Sequence, residues 1–175
     1  MIDLPIGRQT FDFDCGAKVL QLVMAYYGVD VREDELIKDL KTCDIGTRVN
    51  SMIKVAEKNG FKVYAKSRML LKTVKKYVDN NQPVIVLVQA WADRYMTLKD
   101  WKEDNENGHY VIVIGYRKDT IVFEDPSSIR RTWLKEDEFI ARWHDVDPRT
   151  KQRLIRFGMI LRGKEPAKKT MEHMD

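Results

Sequence analysis

Apolar positions in the first third of the chain recur at helical spacing. Val19, Leu20, Val23, Met24 and Tyr27 form one stripe, which predicts a helix over residues 15–27. Gly28 follows where a left-handed residue commonly ends a helix. Leu36, Ile37 and Leu40 predict a second helix over 32–40. Val49, Met52, Ile53 and Ala56 predict a third over 49–59, closed by Gly60. The period then changes: residues 61–65 alternate like a half-buried strand, and 71–80 return to helical spacing. The second half reads as sheet. Residues 83–89 are a continuous apolar run, the pattern of a central strand buried on both faces. Two β-rich runs, 109–116 and 120–124, are joined by Arg117-Lys118-Asp119 and predict a hairpin. A short helix over 134–143 and a last strand over 153–161 complete the order. Residues 90–108 read as a long polar loop carrying Trp91, Tyr95 and Trp101; loops of that length are often functional, so the two tryptophans are expected to line a cleft. Helices first and an antiparallel sheet afterwards predict one α+β domain over 1–163.

Composition narrows the class. A chain of 175 residues suffices for one self-supporting core. With 43% hydrophobic and 33% charged residues, wholesale disorder is excluded. The longest apolar run, 84–88, is too short to span a bilayer, and Asp3 and Arg8 interrupt any signal-peptide core. The expected compartment is the cytosol. The net charge of +4 resides in residues 147–175, where eight Lys/Arg face four Asp/Glu; the remainder is neutral. Residues 164–175 therefore read as a basic, flexible tail, and no nucleic-acid partner is expected. Two cysteines make no disulfide scaffold, and in a reducing cytosol both are expected as free thiols. No Walker, GxGxxG, HExxH or CxxC motif occurs, and the three histidines lack metal-ligand spacing, so no metal or cofactor is expected.

Four residues are candidates for chemistry. Cys15 stands at the predicted first turn of its helix, where free N–H groups and the positive end of the dipole favour a thiolate. Asp14, expected to cap that helix, would partly offset the field. His109 opens a strand, where one ring nitrogen can meet a thiol and the other an orienting acceptor. The hairpin returns Asp125 toward that end, where a carboxylate would hold the imidazole tautomer. Gln9, six residues before Cys15, carries an amide that could meet an oxyanion. Each also has a plain reading: a small core residue, a structural histidine, a turn-forming Asp-Pro and a polar residue before a helix. His144-Asp145 is a competing base pair beside Trp143, and Cys43 an incidental loop thiol.

Taken together, Gln9-Thr10-Phe11-Asp12-Phe13-Asp14-Cys15-Gly16-Ala17, running into Met24-Ala25-Tyr26-Tyr27-Gly28, resembles the bacteriocin-processing, double-glycine cysteine peptidases. The resemblance continues through Gly46-Thr47, residues 56–61, residues 108–116 and Phe123-Glu124-Asp125-Pro126-Ser127, in the family's order and over about three quarters of the chain. It implies a papain-like fold, with an N-terminal helical part carrying the nucleophile packed on a C-terminal antiparallel sheet. It also implies Cys15 as nucleophile, His109 as general base and then acid, Asp125 as orienter and Gln9 as oxyanion donor. The implied partners are a peptide or protein substrate, cut after Gly-Gly in a leader, and a separately encoded transporter. Trp133-Leu134, Phe139 and Arg142-Trp143-His144-Asp145 resemble stand-alone members. A non-catalytic peptide-binding module and an acyltransferase using the same nucleophile are the alternative readings.

Overall fold

The computed structural model describes residues 1–147, 149–168 and 173. Helix α1 (Cys15–Tyr26) is buried from Cys15 to Leu20 and again from Leu22 to Met24. It runs through the core with α2 (Glu33–Leu40) and α3 (Val49–Lys58) packed beside it. Gly28 ends this segment at φ 76, the left-handed conformation anticipated for it. Strand β1 (Lys62–Lys66) and helix α4 (Leu71–Asp79) follow where the period changed, then β2 (Val84–Gln89), buried at every position.

The remaining elements are α5 (Leu98–Glu103), β3 (Gly108–Arg117), β4 (Thr120–Glu124), β5 (Thr132–Lys135), α6 (Glu136–Arg142) and β6 (Gly158–Arg162). The six strands form one antiparallel sheet in the order β1-β6-β2-β3-β4-β5, so β2 is central, as its unbroken apolar run requires. Tyr110 meets Gly16 of α1, whereas Phe123, paired in register with Val113, packs its ring 5.5 Å from Phe139 of α6. Successive strand residues face opposite sides, so α1 and α6 cover opposite faces of the sheet. This is an α+β, papain-like architecture.

Three boundaries differ from the sequence reading. The expected loop 90–108 contains α5, held by a capping box in which Thr97 Oγ1 accepts from the Asp100 N–H and the Asp100 carboxylate accepts from the Thr97 N–H. The helix expected over 134–143 begins only at Glu136, because Thr132–Lys135 alternate in burial and pair with β4. The strand expected from residue 153 begins at Gly158: Arg153 makes an isolated bridge to Val146, and Arg156 at φ 49 breaks the run. Of the expected tail, residues 164–168 lie against the helical layer, where the Ala167 N–H donates to Tyr26 O at 2.9 Å. Residues 169–172, 174 and 175 of that tail lie outside the described residues.

The segment before α1 is tied down rather than free. Ile2 and Leu4 are buried, and the Ile2 N–H donates to Ile114 O at the bulge in β3. These contacts bring Gln9 to the sheet end where β3 starts and β4 finishes.

Candidate active site

Cys15 is the first residue of α1 and only 8% exposed. Asp14 precedes it at φ −102, ψ 15, which is not the extended conformation of a capping residue, and its side chain caps nothing in the helix. This corrects the expected cap. The Asp14 carboxylate turns back to accept from the Thr10 and Phe11 N–H groups, both at 3.2 Å. Burial pushes its pKa up, against those two hydrogen bonds. The helix therefore opens with no side chain occupying its first N–H groups. Gly16 lets α1 approach its neighbours: a Cβ there would lie 2.6 Å from Thr47 Cβ and 3.2 Å from Tyr110 Cδ2. Tyr110 in turn donates its hydroxyl to Thr47 O, fixing loop 42–47 against β3.

His109 pairs with Val88 across β2 and β3, and the β3–β4 register sets Glu124 opposite Ile112. Asp125, one residue beyond β4, thus falls on the same face as Val111 and diagonal to His109, within reach of a long side chain. His109 Nε2 and Asp125 Oδ1 are 2.8 Å apart. Cys15 interacts with the same imidazole, and since Asp125 takes Nε2, Nδ1 is the nitrogen left for the thiol. The carboxylate is fully coordinated. Oδ1 also accepts from the Ser127 N–H at 2.9 Å, and Oδ2 from Trp91 Nε1 and Thr132 Oγ1, each at 3.2 Å.

Electrostatics follow from these contacts. Burial opposes charge on His109, but hydrogen bonds to Asp125 and Cys15 and the attraction of both outweigh it and push its pKa up to about 9. For Asp125 burial again acts against ionisation, and the bonds from His109, Ser127 and Thr132 prevail and hold its carboxyl below the usual value. Between the unfolded histidine value of 6.5 and about 9, the folded state binds a proton that the unfolded chain has lost. Stability from this group is complete below pH 6.5 and declines as pH rises through 9, by on the order of 3 kcal/mol at most. Denaturant titrations from pH 6 to pH 9.5 are expected to show that decline in the wild type and a flat profile in His109→Gln; parallel slopes would contradict it.

Gln9 sits on the Asp125 side of this cluster. Its N–H donates to Pro126 O at 2.8 Å, its Oε1 accepts from Ser127 Oγ at 3.0 Å, and its Nε2 donates one hydrogen to Phe11 O at 2.7 Å. The competing pair separates. His144 Nε2 bonds Trp101 O at 3.0 Å, whereas Asp145 lines the cleft at Cys15. Trp101 itself is buried, with the Arg142 guanidinium 4.0 Å from its ring centroid, so of the two loop tryptophans only Trp91 comes to the site. Cys43 accepts from Arg149 Nη2 at 3.0 Å, in the same loop as Gly46.

Two depressions flank Cys15 and share Cys15, Ile45, Gly46, Gly108 and Asp145. Two of these shared residues are glycines, and the Asp145 carboxylate lies over one of them. Gly108 is dictated by its neighbour, since a Cβ there would lie 2.5 Å from Asp145 Oδ2. Asp145 is held in place by the fully buried Gln89, whose Nε2 donates to Asp145 Oδ1 and His144 O and whose Oε1 accepts from the Asn107 N–H. Sequence reading passed over Gln89 and Thr132 as site-forming residues and offered Asp145 only as half of the competing pair with His144. The one signal for Gln89 was a polar residue closing an otherwise apolar central strand. Among the described residues, no group of three or more His, Cys, Asp or Glu could hold a metal ion, and no helix is long and apolar enough to cross a membrane.

A helix opened by a cysteine and a neighbouring strand opened by a histidine, joined in this order to an antiparallel sheet, define the class of papain-like cysteine peptidases. The chain belongs to the Peptidase C39 family, whose model matches residues 3–147. Over 140 residues it is 31% identical to the transport/processing ATP-binding protein ComA of Streptococcus pneumoniae; that match covers 79% of this chain and 17% of ComA. The crystal structure of the peptidase domain of Streptococcus ComA superposes with a TM-score of 0.66 at 24% identity, over 92% of this chain and 98% of that one. A double glycine motif protease from an AMS/PCAT transporter, solved with its leader peptide, gives 0.64 at 19% identity over 91% of both chains.

Proposed function

We propose that this protein is a peptidase that cuts a peptide substrate after a small residue, of the double-glycine leader type, through Cys15, His109 and Asp125. The observation that carries the reading is the buried 2.8 Å contact of His109 Nε2 with Asp125 Oδ1, on an imidazole that also interacts with Cys15, itself in the wall of the cleft. His109 Nδ1 takes the thiol proton, and the sulfur attacks the substrate carbonyl carbon. The oxyanion is met by the free N–H groups that open α1 and by the second Nε2 hydrogen of Gln9. Collapse expels the amine, which takes the proton from His109, and water drawn in by the same imidazole releases the acyl group. Asp125 keeps the proton on Nε2 and stabilises the imidazolium throughout. In a cytosolic setting both cysteines, free thiols here, stay reduced.

A solved relative supports the choice of substrate: it is a double glycine motif protease in complex with its leader peptide. The test is a set of peptides differing only in the residue before the scissile bond. Glycine is expected to be cut at least ~100-fold faster than leucine at that place, the discrimination a few unaccommodated methylenes give. Equal rates for glycine and leucine would overturn the assignment of the substrate.

A further inference from the structure

Trp91 stands out outside the reactive line. It is a bulky residue at φ 60, in the left-handed region that such side chains rarely adopt, and it is 58% exposed. Burial therefore does not compensate the strained backbone. Its polar contact is specific: the indole N–H donates to Asp125 Oδ2 at 3.2 Å. The backbone leading into it is fixed, by Gln89 in the network to Asp145 and by the Ala90 N–H donating to Asn107 O at 2.9 Å. A carboxylate offers about four lone-pair sites. Here four donors from four segments fill them: His109 from β3, the Ser127 N–H after β4, Thr132 from β5 and Trp91 after β2.

We propose that Trp91 is a positioning residue, whose indole N–H fixes the outer oxygen of Asp125 and so holds the inner oxygen in line with His109 Nε2. The proposal rests on the peptidase reading above and extends it to a residue that touches neither the thiol nor the cleft floor. Without the indole donor, Oδ2 is held by Thr132 alone and the carboxylate turns about its Cβ–Cγ bond. The imidazolium then loses part of its partner. The charged and titratable groups facing this centre are few. Cys15 comes from α1, and Glu124 stands beside Asp125 with Arg131 at 3.6 Å. From α6, Arg142 lines the apolar cavity behind Asp125 together with Trp91 and Trp133.

The experiment is alkylation of Cys15 by iodoacetate across pH, read by mass spectrometry with Cys43 as internal control. The anionic reagent reports both limbs: its rate rises as the thiolate forms and falls as the imidazolium that attracts it loses its proton. In the wild type the alkaline limb is expected near the His109 value of about 9. In Trp91→Phe, which keeps the ring and removes the donor, that limb is expected to move down by roughly half a pH unit or more with the acid limb in place. Trp91→His, which restores an N–H donor, should return the limb toward the wild-type position. A structural role would leave the profile unchanged while lowering the thermal midpoint. Thr132→Val, removing the other donor to the same oxygen, should shift the same limb. An unmoved alkaline limb in Trp91→Phe overturns the proposal while leaving the catalytic reading intact. A limb that falls equally in Trp91→Phe and Trp91→His assigns the effect to ring bulk and also overturns it. A wild type with no bell-shaped profile sinks the peptidase reading, and this proposal with it.

Discussion

Replacing Cys15 with alanine is expected to abolish turnover, by a factor of ~10⁴ or more, with the fold unchanged. Among the described residues no other thiol stands at the opening of α1 beside His109, and Cys43 lies in loop 42–47 bonded by Arg149, so nothing in the cleft substitutes for the sulfur. The structural cost is small. Alanine keeps the methylene that packs under α1, and the lost sulfur faces the cleft, where water can follow. Product formation is to be read by mass spectrometry, beside the thermal midpoint and peptide affinity of the variant. Retention of more than about a hundredth of wild-type turnover would remove Cys15 from the mechanism. The same assay separates the neighbouring readings. Equal peptide binding by both proteins with no product from either would mark a binding module. A product heavier by an added amine would mark acyl transfer, since the first half-reaction is common to both.

Asp125→Ala is expected to have the second largest effect, lowering kcat/KM by roughly 10²–10⁴ while leaving Cys15 in place. Four donors that now converge on the carboxylate would lose their acceptor in a site only 3% exposed. His109 would keep the burial that opposes its charge and lose the first of the contacts that favour it, so its pKa should fall from about 9. The alkaline limb of Cys15 alkylation should move down accordingly, further than in Trp91→Phe. Unsatisfied donors also cost stability, on the order of 1–3 kcal/mol in total if water enters. Asp125→Asn keeps the shape and offers one oxygen acceptor, so it should fall between the wild type and alanine in both stability and rate. A wild-type pH window in Asp125→Ala would show that His109 is charged for another reason.

The two variants probe different links of the same chain. The alanine at 15 removes the reacting atom and leaves the histidine's environment largely intact. The alanine at 125 leaves the reacting atom and removes what keeps the histidine charged and oriented. His109 itself is addressed by the pH dependence of stability, because its raised pKa ties proton binding to folding.

Much of this was legible in the residue order. The stripe from Val19 to Tyr27 made α1, and the unbroken run ending at Val88 made a central strand, because periodicity records which side of an element meets the core. The hairpin of β3 and β4 followed from the two β-rich runs, although Arg117 pairs with Thr120 and so shortens the expected three-residue connection to Lys118-Asp119. Helix α5 was misread as loop because it is six residues long and only Trp101 is buried, too little to show a period. Its Thr97 and Asp100 capping pair was the available signal. Strand β5 was absorbed into the next helix because four alternating residues cannot be told from a helix start without their partner strand.

At the site, the sequence by itself determined the kinds of side chain and the ends of the elements on which they sit: a cysteine opening a helix, a histidine opening a strand, an aspartate closing its hairpin partner. Local rules of period, turn and helix terminus suffice for that, since they act within a few residues. Tertiary structure alone decided which of them meet. Asp14, expected to cap α1, is drawn off by the amides of Thr10 and Phe11. His144 and Asp145, adjacent in sequence, part because Trp101 and Gln89 claim them on different sides. Trp91, which no local rule would place at a left-handed position, reaches Asp125 across thirty-four residues. Such contacts depend on how the sheet, the helices and the loops pack in space, and spacing along the chain carries no record of them.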